Sequence, residues 1–173
     1  MFSPYNPSAQ RQQYRYRITP VEPQHLPAIA ELFEQREGHA IAIEALEHSL
    51  LADNVIAFVA MQQQQLLGYS KAAHFNGQAY SPQGWYLSGL IVNPDYRRAG
   101  IAHELTRQRL NALSQHTDTV YYFANVNNQA SIDLHGKFGF ELLKDDFCFP
   151  GVTFNQGRGQ LFGIKLNTTS ASQ

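Results

Sequence analysis

The stretch that most constrains this chain is Leu90-Ile-Val-Asn-Pro-Asp-Tyr-Arg-Arg-Ala-Gly-Ile-Ala102. A branched apolar run predicts a strand, Asn93-Pro94 breaks it, two arginines follow, and a helical pattern opens at Gly100. Such a layout can hold a polyphosphate. Gly100 has no Cβ, so its backbone can approach an anion closely. The N–H groups of the first helical turn, from about Ala99 through Ile101 and Ala102 to His103, point outward with the positive end of the helix dipole behind them. Arg97 and Arg98 add charge beside that cradle. A solvated strand-to-helix turn would read the same way, so the motif needs a companion.

The companion lies about thirty residues downstream, in Asn128-Gln-Ala-Ser131-Ile-Asp-Leu-His135-Gly-Lys-Phe-Gly-Phe140. Together the two segments resemble the GNAT acetyltransferase superfamily. Val92, Pro94 and Arg97 match the family's Val-x-Pro-x-x-Arg strand end, and Arg97, Gly100 and Ala102 match RxxGxG/A. Asn128, Ser131, Leu134, His135, Lys137, Gly139 and Phe140 fill the second signature in order. The resemblance spans roughly Tyr14 to Leu166. It implies an α/β (α+β) fold: a mixed, mostly antiparallel sheet of six to seven strands flanked by helices on both faces.

Composition narrows the partners. The 173 residues suit one domain, here 14–166, between flexible ends at 1–13 and 167–173, and 43% hydrophobic with 16% charged residues is an ordinary globular balance. A net charge of -1 leaves no excess of cations for nucleic acid or an anionic membrane, so the arginines matter by position. No apolar run is long enough to span a bilayer. Cys148 is the only cysteine, which excludes an internal disulfide and a thiolate metal site, fits a reducing cytoplasm and suggests a half-buried side chain. The histidines show no metal-ligand spacing, so no metal is expected.

Along the chain, alternation over 14–18 predicts a first strand, and the turn residues Thr19-Pro20 lead into a helix with Leu26, Ile29, Ala30 and Phe33 on one face. A second helix is expected over 41–51, then strands over 55–61 and 66–75 joined by a glutamine-rich hairpin tip. The fourth strand, 85–92, and the fifth, 120–125, flank a helix over 100–114, so they should run parallel. A last helix over 131–138, ended by Gly139, precedes strands over 141–148 and 159–166.

The resemblance implies a chemistry. Acetyl-coenzyme A is the co-substrate, its pantetheine arm lying between splayed fourth and fifth strands along the main chain of Leu90, Ile91 and Val92. Gly89 suits the bulge that opens such a gap, and an N–H near Leu90 would steady the thioester oxyanion. An alkyl amine with a pKa near ~10 is only about a thousandth neutral at pH 7, so its proton needs an acceptor. Many relatives carry a Glu where this chain has Ser88, a poor base; water, His74, Tyr80, His39 or Glu37 remain as proton or acceptor contacts. His135 stands where many relatives have a Tyr that protonates the leaving thiolate, and packing against the coenzyme would explain it equally. Asn128 caps the last helix and, with Ser131, could reach the coenzyme. The function implied is acetyl transfer to an amine of a small-molecule acceptor, with room for a homodimer. A silent acyl-coenzyme A sensor, or an enzyme acting on peptide or protein amines near Glu37 to Ala40 and the 150–159 hairpin, are the alternatives.

Overall fold

In a computed structural model of the chain, the residues described are Pro4, Asn6, 13–78 and 80–167; the expected flexible ends, 1–13 and 167–173, lie almost wholly outside them. Seven strands and four α-helices follow in the order β1 (Arg17–Pro20), α1 (Leu26–Glu37), α2 (Ile43–Leu50), β2 (Val55–Gln62), β3 (Gln65–Phe75), β4 (Gly84–Val92), α3 (Ile101–Leu113), β5 (Thr119–Asn125), α4 (Gln129–Gly136), β6 (Glu141–Phe147) and β7 (Gly159–Lys165). The strands form one mixed, mostly antiparallel sheet in the order β1-β2-β3-β4-β5-β7-β6. This is the α/β architecture that the two motifs imply. By its internal contacts the chain divides into two compact units, one of residues up to Ala72 with Ser88–Arg109, the other of Ala73–Leu87 with the chain from Leu110 onward.

In the first unit, helices cover both faces of the strands. Leu26, Ile29 and Leu32 of α1 and Leu46 and Leu50 of α2 recur at helical spacing, and they close over Ala57, Val59, Tyr69 and Ile91. On the other face Ile101 and Leu105 of α3 pack with Ala60, Leu67, Leu90 and Val92. The α3 stripe continues at the same four-residue step to Arg109, and the three residues are 1%, 0% and 1% exposed. A fully buried arginine on an apolar stripe requires a reason, which the site below supplies.

In the second unit β5 and β7 pair antiparallel from Thr119↔Lys165 to Asn125↔Gly159. Because strand side chains alternate, Tyr121 and Phe123 join Tyr86, Phe147 and Leu161 on one face, while Tyr122 points to the other. Among the described residues β4 and β5 register in parallel at Trp85↔Val120 and Tyr86↔Tyr121.

Several boundaries differ from the sequence expectation. Thr19 and Pro20 belong to β1, paired with Val59 and Phe58; this is an edge strand, where a missing N–H is tolerated. The last helix starts at Gln129, behind its Asn128 cap, and ends at Gly136. Gly139 is therefore not its terminator: at φ +92 it makes the following turn, its N–H on the Gly136 carbonyl at 3.1 Å. Cys148 is exposed, because β6 is the sheet edge and six of its seven residues are exposed before the chain reaches it.

Candidate active site

The turn ahead of α3 is shaped by its own residues. Asn93 Oδ1 accepts the Asp95 N–H at 3.0 Å and caps a single 3-10 turn, Pro94–Tyr96, after which Arg97 is extended at φ −67. Arg98 then takes φ +63 and Gly100 φ +77, and the helix begins with the Glu104 N–H on the Gly100 carbonyl at 2.9 Å. Two left-handed residues, Arg98 and Gly100, thus stand within the three positions ahead of the helix. The N–H groups of Ile101 and Ala102, in the first helical turn, have no acceptor inside the helix. A Cβ on Gly100 would meet nothing within 4 Å among the described residues, so the space in front of the turn is open. Arg97 and Arg98 are half-buried beside it, and His103 is exposed. Backbone N–H groups and two guanidinium groups are donors of the kind that can hold an anion.

Upstream, β4 departs from regular geometry where expected. Gly89, exposed in mid-strand, adopts φ +67, a left-handed value that a side-chain-bearing residue would resist. Ile91 is buried, and Leu90 and Val92 are half-buried against α3. The Leu90 carbonyl accepts from Arg36 Nη1 at 3.4 Å. Ser88 is half-buried, and its Oγ is sealed from solvent with no hydrogen-bond partner among the described residues.

Two residues passed over in the sequence lie in this same unit. Lys71 of β3 runs its stem past Gly89, with Cγ and Cε 3.3 and 3.4 Å from where a Cβ would stand. Its Nζ donates to Ser49 Oγ of α2 at 2.7 Å, and burial lowers its pKa. Its carbonyl accepts from Arg109 Nη1 at 2.9 Å, while Arg109 Nη2 donates to Thr106 Oγ1 at 2.9 Å. Burial pushes the Arg109 pKa down to about 9. Arg109 is thus buried in order to hold the β3 main chain beside the Gly89 irregularity. A charged residue in the Ile101-Leu105-Arg109 stripe was the available sequence signal.

In the second unit Asn128 Oδ1 accepts the Ser131 N–H at 3.2 Å, capping α4. Asn128→Ala should cost about 1 kcal/mol of stability, measured by urea denaturation. One turn on, His135 Nδ1 lies 2.7 Å from the Ser131 carbonyl and 3.3 Å from Ser131 Oγ. The shorter contact assigns a proton to Nδ1, so in the neutral ring Nε2 carries a lone pair, and only the imidazolium donates from both nitrogens. The ring is 5% exposed, stacked on Tyr122 at 3.8 Å and edge-on to Phe140 at 5.4 Å.

The acceptor-side candidates fall in both units. Glu37 ends α1 and pairs with Arg36 Nε at 3.3 Å. His39, two residues on, is exposed and edge-on to Phe33 at 5.5 Å. Tyr80, in the second unit, is 81% exposed with Lys144 Nζ 5.3 Å from its ring centre. His74, in the same unit, is edge-on to Trp85 at 5.6 Å.

Comparison with known proteins bears on the fold and the family. The ribosomal-protein-S18-alanine N-acetyltransferase of Escherichia coli superimposes with a TM-score of 0.67 at 18% identity, covering 92% of this chain and 99% of the other. An N-acetyltransferase from Staphylococcus aureus Mu50 gives 0.70 at 18%, over 89% and 100% of the two chains. NAA60 of Arabidopsis thaliana, solved with a bisubstrate analogue, gives 0.67 at 17%, over 90% and 100%. No curated protein matches the sequence closely. At these identities the structures speak for the fold, while the model of the acetyltransferase (GNAT) family matches residues 17–140. With most of its length matched by that model, the chain belongs to the acetyltransferase (GNAT) family of N-acetyltransferases.

Proposed function

We propose that this protein transfers an acetyl group from acetyl-coenzyme A directly to the amine of a small-molecule acceptor. The observation that carries the reading is the turn ahead of α3, with φ +63 at Arg98, φ +77 at Gly100 and open space where a Gly100 side chain would be. In this reading the N–H groups of Ala99, Gly100, Ile101, Ala102 and His103 hold the pyrophosphate of the co-substrate, and Arg97 and Arg98 balance its charge. The main chain of Leu90, Ile91 and Val92 pairs with the pantetheine arm, which the left-handed Gly89 favours by interrupting the strand. An N–H near Leu90 steadies the developing oxyanion, Asn128 and Ser131 contribute polar contacts, and imidazolium His135 protonates the departing thiolate.

Ser88 makes no case as a base, since a hydroxyl ionises far above neutral pH. Glu37, His39 and Tyr80 are carried as acceptor contacts. The exposed lone thiol of Cys148 suits a reducing cytoplasm. A second reading, acetylation of a peptide amino terminus, is motivated by the ribosomal-protein-alanine enzymes and the peptide-bound NatC complex among the similar structures.

The test is a turnover screen with acetyl-coenzyme A across polyamines, amino acids, aminoglycosides and alanine-initiated peptides, read by thiol release. Amine-dependent release with a small acceptor is the expected result. Release with peptides alone favours the second reading, and tight binding without release favours a coenzyme-binding sensor.

A further inference from the structure

We infer that Lys71 is the general base of the transfer, its Nζ taking the proton that the acceptor amine must shed. The inference rests on the acetyltransferase reading above. β4, Gly84–Val92, carries no carboxylate, so the proton must go elsewhere. Gly89 leaves the stem of Lys71 uncovered at the strand's left-handed point, where a Cβ would already meet Lys71 Cγ at 3.3 Å. Ser49 Oγ holds the head at 2.7 Å, and Arg109 holds the Lys71 carbonyl at 2.9 Å, so both ends of the residue are fixed.

The other ionisable groups around it are poorer candidates. Arg36 on α1 donates to the Leu90 carbonyl and pairs with Glu37, which is thereby occupied and remains largely exposed. Tyr69, on the same strand, is 6% exposed, and burial raises its pKa, so its phenol stays protonated. Arg109 on α3 has donors only. From α2 the facing group is the neutral Ser49, and β4 contributes the uncharged Ser88, Gly89 and Leu90. Burial is the cause that lowers the Lys71 pKa, with no carboxylate among the causes to hold the ammonium form. A neutral Nζ keeps N–H groups for Ser49 and a lone pair for the acceptor.

The step balances without another reactant. As the acceptor nitrogen forms its bond to the acetyl carbon, its N–H bond breaks and the proton joins the Lys71 lone pair. The C–S bond then breaks with its electron pair on sulfur. Lys71 is restored when its proton passes to solvent or to the thiolate. Charge repulsion between an ammonium Lys71 and an ammonium acceptor would also favour loss of one proton from the pair.

The experiment uses Lys71→Met and Lys71→Arg in the full chain, with spermidine and an alanine-initiated hexapeptide as probes. Both variants should lower kcat roughly a hundredfold, while calorimetric affinity for acetyl-coenzyme A stays within about twofold. Wild-type kcat/KM should rise with pH through an ionisation that Lys71→Met lacks. Arginine keeps the positive charge without a usable lone pair, so a Lys71→Arg protein turning over within about threefold of wild type overturns the base and leaves a charge contact. A wild-type protein that turns over neither probe excludes those two acceptors, not the lysine. In that case NMR titration of the Lys71 ammonium decides: titration clearly below ~10.4 supports the inference, and titration at or above it overturns it.

Discussion

Gly100→Val should weaken acetyl-coenzyme A binding about tenfold or more in calorimetry. Valine at φ +77 costs on the order of 1–3 kcal/mol of backbone strain, because a β-branched side chain fits the left-handed region poorly. The turn then either keeps its shape at that cost or relaxes and misdirects the N–H groups of Ile101 and Ala102. In either case the added methyls occupy the open space through which a phosphate oxygen would approach. A Cβ there meets nothing within 4 Å among the described residues, so backbone strain is the cost to stability and the obstructed approach path is the cost to binding. Unchanged affinity would mean that the pyrophosphate does not lie on this turn.

His135→Phe should lower turnover by up to roughly a hundredfold while leaving acetyl-coenzyme A affinity nearly intact. Phenylalanine preserves the stack on Tyr122 and the edge contact with Phe140, so it removes the ring nitrogens with the least disturbance of packing. It loses the 2.7 Å contact to the Ser131 carbonyl, which is the control built into the comparison. His135→Tyr should retain substantial turnover, since a phenol can donate a proton from a similar place. Normal turnover in His135→Phe would assign the ring to packing alone.

The parts of the fold legible in the sequence are those governed by short-range chemistry. Asn93-Pro94 ends a strand and Gly100 starts a helix for reasons held within a few residues, and the structure has both features at those positions. Asn128 likewise caps α4. Boundaries decided by a partner strand were not legible: Thr19-Pro20 looks like a turn until Val59 and Phe58 pair with it. Gly139 looks like a helix terminator, but the helix yields at Gly136 and the glycine serves the next turn.

Within the candidate site the same division holds. The turn ahead of α3 is local and readable, whereas Lys71 and Arg109 gain meaning only when β3, β4, α2 and α3 are brought together. The enclosure of His135 is equally tertiary. Its place in the motif suggested a donor, and only the Ser131 carbonyl and the Tyr122 stack show which nitrogen holds the proton and how deeply the ring is set.

The most direct measurement is an amide NMR titration of the wild-type protein with acetyl-coenzyme A and, separately, with acetyl-pantetheine, which lacks the pyrophosphate. The N–H resonances of Gly100, Ile101 and Ala102 should move strongly with acetyl-coenzyme A and scarcely with acetyl-pantetheine. Resonances at these three positions that stay still at saturating acetyl-coenzyme A, or move equally with both compounds, would contradict the phosphate cradle ahead of α3.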